Sequence, residues 1–478
     1  MALAKLRALQ CEVGFNSFLP GPRLQGVLRL RSPFLRDLQR HDVLQSGEVL
    51  HLTSAGGLTP GPVKTPFLCA VYACGKGATL RSRLAEELHV PSRALRMGPP
   101  LRMPGVSVQL LELPKGLSEK TSTELMKSGI SAASKMTLAF GPADVAGLPD
   151  GKIPHCEAHR FTVTLRGLNK TQLSAGLFDE RLEEIRTNGF VNFFELPYFG
   201  LAEVTRFEIG AALWGGQWDT AARLLLTANR ADALHPASQA FVENDYAAGI
   251  ELLPATHNCK GMRKLAMNLL LKRPAKEALL AALAPQDWAK HLSSLSRLAW
   301  NKAVSVRLGG AMPLRPVPGD FVWDGKAGEP RPVTAKEVSE DRWHLSDVVL
   351  PLPLPGKPVP ESGGRLLMEA VLRDFVPGED AAAEIPLKLE QMMPRVRHIV
   401  SIPADMTWDV DEGLVDCDLQ RLGLAAKPRG RAIRAQSLAL QLRATLRRTE
   451  SAESLLREVL KANPTDFLEG LDREDEVF

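Results

Sequence analysis

The stretch TNGFVNFFELPYFG, Thr187–Gly200, decides how the rest of the chain is read. It follows FDERLEEIRTNG (178–189), which has acids in its first turn, Arg186 near its end and Gly189 placed to close a helix. The chain then turns into an extended run dense in aromatics, in a protein where aromatics make up only 6% of residues. Such bunching builds either a buried strand or a flat platform on which a planar ligand stacks. Phe193 and Phe199 sit an even number of residues apart and read as core.

At 478 residues the chain exceeds one ordinary core and predicts two or three domains. Its 45% hydrophobic and 24% charged residues are those of an ordinary globular protein, and no apolar run is long enough for a transmembrane helix. The net charge of +4 is modest, but its distribution is uneven. Eight basic residues and no acid lie between Arg421 and Arg448, among them Arg429, Arg431 and Arg434. A second arginine patch covers Arg23, Arg29, Arg31, Arg36 and Arg40, whereas the tail after Phe467 is acidic. Concentrated basic segments fit a polyanion or a solvated face. The six cysteines include no Cys-x-x-Cys pair, which argues for a reducing compartment and against a disulfide framework or zinc knuckle. His155 and His159 flank Cys156, a cluster read as structural, so no metal is expected. Lys5 and Arg7, with no acid before Glu12 and leucines at helical spacing, resemble a mitochondrial presequence; otherwise a nuclear or cytoplasmic location is expected.

Along the chain, FLCAVYAC (67–74), VSVQLLEL (106–113) and HRFTVTLRGL (159–168) read as strands, with RSRLAEELHV (81–90) as an amphipathic helix between the first two. After Leu201 the pattern turns helical: Trp214, Trp218, Ala222 and Leu225 are expected on one helical face. GMRKLAMNLLLK, KEALLAALA and the long run 286–308 continue it up to Gly309 and Gly310. The Pro- and Gly-rich region 311–363 predicts turns between short strands. RHIVSIP and ALQLRATLRRTESAESLLREVLK close the chain as strands, a bend and a helix.

Familiar catalytic sites are missing. GKGATL (75–80) lacks phosphate-loop spacing, DVDEG (409–413) lacks a calcium ladder, and no nucleophile elbow or paired-histidine helix occurs. The order of the fragments says more. Gly189, Asn192, Phe193, Phe194, Phe199 and Gly200 keep the frame of a Gly-x-x-Asn-Tyr-Phe-Gly-x-Gln-Arg-Phe-Gly motif and resemble the TruD family of pseudouridine synthases. RFTVTLR (160–166), SRLAWNKAVSVRL (296–308), PGD (318–320), DVVLPLP (347–353), RHIVSIP…MTW (397–408) and LLREVLK (455–461) resemble further pieces of that family in the same order.

The resemblance implies an α+β protein: a pseudouridine synthase fold, with a mixed, largely antiparallel sheet and flanking helices, carrying an inserted TRUD-type α/β domain. It implies residues 1–202 and 358–478 as the two parts of the catalytic-type domain and 203–357 as the insertion. It also implies that Asn192 and Phe194 lie at the nucleotide site, Phe194 as a base-stacking platform, and that Arg397 is retained beside it. Trp300 and Asn301 are expected to pack inside the insertion.

The family works through one aspartate. Aligned through Leu84, Ala85, Leu88, Arg93, Val106 and Gln109, that position here is Arg102. A guanidinium is neutral in roughly one molecule in 10⁵ or fewer at neutral pH and cannot serve as carboxylate nucleophile or base. Glu195, Pro197 and Tyr198 also replace the motif's polar residues, and Val396 stands where a tyrosine is usual. The expectation is therefore a catalytically inactive homologue, without cofactor or small-molecule substrate. It would bind structured, ribosomal RNA through Arg102, Asn192, Phe194, Arg397, Arg429, Arg431 and Arg434, away from any membrane, and meet ribosomal or assembly-factor proteins in mitochondrial ribosome assembly. Two alternatives remain: an active synthase with Glu112 as relocated carboxylate, and a protein-interaction subunit that makes no RNA contact and docks through its acidic tail.

Overall fold

The computed structural model describes residues 3–15, 17–20, 37–51, 67–75, 80–91, 94–97, 105–113, 130–133, 136–142, 156, 158–166, 176–200, 204–227, 235–254, 259–310, 314–323, 330–359, 361–362, 364–376, 385, 393, 395–412 and 438–463. The arginine-rich segment 413–437 and the acidic tail lie outside them.

Alternating β-branched and aromatic residues make the described strands of the main sheet. β1 (Leu38–Val43), β2 (Phe67–Gly75), β3 (Arg96–Met97), β4 (Gly105–Leu113), β5 (Ile130–Ala133), β6 (Met136–Pro142), β7 (Ala158–Arg166), β14 (Ala404–Glu412) and β15 (Leu438–Arg447) share it. The order is β14-β15-β7-β1-β4-β2-β6-β5, with β3 on β4. Every pairing is antiparallel except β1 with β4, where Gln39 faces Val106. The expected mixed, largely antiparallel sheet is thus present. Beside Leu38, Asp37 receives both arms of the Arg166 guanidinium, at 2.8 and 2.7 Å, which fixes the register of β1 against β7.

One face of this sheet is covered by the helices Leu177–Asn188 and Ala452–Leu460. Phe161, Val163, Leu165, Leu440 and Leu442 pack there with Phe178, Leu182, Ile185, Phe190, Leu455, Leu456 and Val459. The Ala452–Leu460 helix is buried along its whole length, so its polar residues must find partners inside. Arg457 donates to the carbonyls of Ser17 (2.8 Å) and Phe15 (3.0 Å), and its guanidinium lies 3.9 Å from the Phe18 ring centre. The C-terminal helix thereby holds the N-terminal segment, whose Leu9, Val13, Phe15 and Leu19 are core.

A second core belongs to the helical part, Arg206–Trp214, Trp218–Thr227, His235–Val242, Tyr246–Leu252, Lys260–Leu270, Ala275–Ala282 and Pro285–Gly309. β9 (Phe321–Val322), β10 (Arg331–Pro332), β11 (Val348–Pro351) and β12 (Val396–His398) form a small sheet in the order β10-β9-β11-β12. Trp214 and Trp218 do not share a helix as expected: Gly215, Gly216 and Gln217 break the run, Gly216 with φ of +66°, and each tryptophan belongs to a different helix. Residues on both sides of the expected boundaries at 203 and 357 enter this second core, including Leu9 and Phe15 early in the chain and Met368 and Val371 of the Arg365–Phe375 helix.

The stretch Thr187–Gly200 is the seam between the two cores. Phe190 belongs to the first; Val191, Phe193, Phe194, Leu196 and Phe199 belong to the second.

Candidate functional site

The helix preceding the seam ends at Gly189, whose φ of +82° and contact with the Ser401 carbonyl exclude a Cβ. Released from the helix, Phe190 and Val191 (β8) pair antiparallel with Ser401 and Val400 (β13). The Asn192 N–H continues this contact by donating to the Ile399 carbonyl at 3.0 Å.

Asn192 and Arg397 are brought together here across more than 200 residues of sequence. The Arg397 guanidinium donates to the Asn192 backbone carbonyl (2.7 Å), to its Oδ1 (2.6 Å) and to the Phe193 carbonyl (3.1 Å). Asn192 Nδ2 in turn donates to the His398 carbonyl at 3.2 Å. Both side chains are thus engaged with the backbone around the seam. Arg397 is only 7% exposed, and its positive charge is distributed over three internal acceptors.

Phe194 is the centre of an aromatic and cationic cluster. Its ring meets Trp300 edge-on at 5.3 Å and Tyr198 at 5.5 Å between centres. The Arg397 guanidinium lies 4.2 Å from the ring centre; that of Arg297 lies 5.4 Å from it and 4.3 Å from the Tyr198 ring. Phe194 is 3% exposed, so the residue expected to present a stacking platform is enclosed by this chain's own side chains. Trp300 Nε1 donates to the Leu350 carbonyl (3.1 Å), and Asn301 hydrogen-bonds the Phe194 backbone. The two residues therefore do more than pack within the insertion: they fasten its long helix to the motif and to β11.

Arg102, Arg429, Arg431 and Arg434 lie outside the described residues. Glu112 is described, at the far end of β4, 3.7 Å from Arg96. Seven residues of strand separate it from Gly105, about 23 Å at roughly 3.3 Å per residue. Its pairing with Arg96 also places it beside the end of β3, from which the chain leads into the segment that carries Arg102.

Beside the seam is a cleft of about 410 Å³, lined by Arg181, Glu184, Asn188, Gly189, His344 and Ser346 among others. The residue next to His344 is one that sequence reasoning passed over. Trp343 lies between two exposed arginines, Arg331 at 5.5 Å and Arg342 at 5.6 Å from its ring centre. Glu337 holds all three: Arg331 binds both carboxylate oxygens (3.0 and 2.6 Å), Arg342 approaches to 3.5 Å and Trp343 Nε1 to 3.3 Å. The Arg331 bond, helped by the Thr334 N–H, holds the Glu337 carboxyl well below the usual carboxylate range. The adjacent Arg342–Trp343 pair was the available sequence signal, but Glu337 and Arg331 complete it only through the fold. A second missed acid is Glu450, whose pKa burial raises although it accepts the Arg447 N–H at 2.8 Å and Arg447 and Arg397 are within electrostatic range.

Comparison with known proteins agrees with this architecture. Residues 152–374 match the sequence model of the family "TruD: tRNA pseudouridine synthase D (TruD)". The "Pseudouridylate synthase 7 homolog" of Mus musculus is 24% identical over 206 residues, and that of Homo sapiens 26% over 211 residues; each match covers 42% of this chain and 30% of the relative. The chain therefore matches less than a third of the length of these relatives. A crystal structure described as a TruD of Methanosarcina mazei superposes with a TM-score of 0.62 at 16% identity, over 96% of this chain and 98% of the other, and so shares the fold. Residues 152–374 thus match the TruD family model, and the chain has a TruD-like fold.

Proposed function

We propose that this protein binds structured RNA without isomerising uridine, and that its client is ribosomal RNA during mitochondrial ribosome assembly. The observation that carries the first part is the enclosure of Phe194. Where a base would stack, the ring is capped by the Arg397 guanidinium at 4.2 Å and walled by Trp300 and Tyr198. Arg102 at the position that the resemblance gives to the catalytic aspartate agrees with it.

RNA binding is supported by the family domain and by exposed cations around the cleft. Arg331 and Arg342 are exposed and gathered with the half-buried Trp343 on Glu337, so this patch offers cations to phosphate and an aromatic edge to a base. Arg447 and Arg448, at the end of β15, are further exposed cations. Ribosomal RNA is the client favoured by a scaffold that acts through shape, and the compartment is favoured by the basic, acid-free N-terminus.

The test has two arms on the same purified protein. Filter retention of structured RNA should fall linearly in log K with log salt, and pseudouridine assay of that RNA should stay blank. Pseudouridine formation would overturn the inactive reading in favour of an active synthase. A salt-insensitive protein complex without RNA retention would favour the interaction subunit. Cross-linking in cells followed by sequencing, with fractionation, identifies client and compartment.

A further inference from the structure

We propose that Asp42, Cys156 and His159 form a zinc(II) site that ties the end of β1 to the start of β7. Asp42 Oδ1 stands 3.2 Å from His159 Nδ1, and Cys156 Sγ stands 3.5 Å from the same nitrogen. All three ligand atoms lie within 4.8 Å of one another. Two corners of a zinc tetrahedron, with Zn–S about 2.3 Å and Zn–N or Zn–O about 2.05 Å, are separated by about 3.5 Å for S and N and about 3.3 Å for N and O. The observed spacings are those of a ligand shell.

Hydrogen bonding alone fits the trio less well. Nδ1 faces carboxylate and sulfur together, and a single Nδ1 proton cannot point squarely at both. The sulfur also meets the Ala158 carbonyl, 2.9 Å away. A metal ion receives a lone pair from all three.

The ligand set also selects the ion. One thiolate, one imidazole and one carboxylate suit a borderline cation, and their number leaves a fourth position for solvent. On binding, the thiol proton leaves to solvent and a sulfur–zinc bond takes its place. Arg40, two residues before Asp42 on the same face of β1, adds one positive charge. Against it stand the Asp42 carboxylate and the Cys156 thiolate, so the surroundings of the ion carry one net negative charge. The Leu110 N–H, 3.3 Å from Asp42 Oδ2, leaves Oδ1 to face the cluster.

The role is structural. Asp42 and His159 are directly paired residues of β1 and β7, so an ion held by them clamps two strands of the main sheet. The ion would join groups 117 residues apart in the chain, between strands that already pair Asp42 with His159.

The experiment uses the full chain, stripped with a chelator and titrated with Co²⁺, then Zn²⁺. The expected result is one equivalent of Co²⁺ with a thiolate-to-cobalt charge-transfer band, displaced by Zn²⁺. Cys156→Ser should abolish the band, and Asp42→Asn should weaken binding about tenfold or more. No band in excess Co²⁺, or a band that persists in Cys156→Ser, would overturn the site. X-ray absorption of the zinc-loaded wild type requires no variant to fold: one sulfur among nitrogen and oxygen ligands is expected, and a shell without sulfur overturns the proposal.

Discussion

Asn301, in the middle of the Pro285–Gly309 helix, bonds both backbone groups of Phe194, 107 residues away: its Oδ1 accepts from the Phe194 N–H at 3.0 Å and its Nδ2 donates to the Phe194 carbonyl at 3.1 Å. The carboxamide thus serves as a one-residue strand partner for a buried backbone that β8 has already left. Asn301→Ala leaves a buried N–H and C=O unmet and should cost about 2–4 kcal/mol in denaturant unfolding. Asn301→Asp, which keeps the acceptor but lacks the donor, should also destabilise. A stability change below about 1 kcal/mol for the alanine variant would show that the pair contributes little.

Arg397 tests whether a retained family residue serves RNA or the fold. Its described hydrogen bonds go to Asn192 and Phe193, so Arg397→Lys, which loses the planar fork, should lower stability by about 2–3 kcal/mol. RNA retention per folded molecule at fixed salt should change less than about threefold. A larger loss would place Arg397 at the RNA surface.

Trp343 should behave in the opposite way. Trp343→Ala removes a ring beside the exposed Arg331 and Arg342 and should weaken RNA retention about tenfold, a stacking loss of roughly 1–3 kcal/mol. Comparable loss for all RNAs, with a small effect on the unfolding midpoint, is the expected pattern. Unchanged retention would remove this patch from the interface.

Glu458 is buried among cations: Arg181 lies 3.0 Å from its Oε1, Lys461 contacts the same oxygen, and the Leu19 N–H donates to it at 3.0 Å. Glu458→Gln should cost about 3–5 kcal/mol, because the buried Lys461 loses its counter-ion and Arg181 is left with Glu184, 2.6 Å away at the surface. Combining it with Arg181→Met should cost less than the sum of the single changes. Strict additivity in that cycle would mean the pair is not coupled.

His291 sets an acid limit on the helical core. Burial, with Lys290 and Arg206 nearby, pushes its pKa from about 6.5 down to about 3. The unfolded chain therefore takes up a proton before the folded one does, so this contribution is full above about pH 6.5 and is lost as pH falls toward 3. The slope should be at most about 1.4 kcal/mol per pH unit, and His291→Leu should flatten that part of the stability profile. An unchanged profile in the variant would assign the acid loss elsewhere.

Much of the local structure was legible because it depends on near neighbours. The alternation of Phe161, Val163 and Leu165 gives β7, and Gly189 ends its helix where a left-handed residue was needed. The run up to Gly309 gives the long helix, and the order of the motifs gives the family. Trp214 and Trp218 show the limit of periodicity: two short helices with a tight turn can mimic one.

The sequence by itself therefore determined most of the elements and the fold class, since each rests on chemistry within a few residues or on motif order. Only the tertiary structure decided that Phe194 is enclosed, that Asn192 and Arg397 are committed to each other, and that Asp42 meets Cys156 and His159. These contacts join groups a hundred to several hundred residues apart. Side-chain spacing along a strand or helix carries no information about which distant element will pack against it. That is set by how the two cores meet along the seam at Thr187–Gly200.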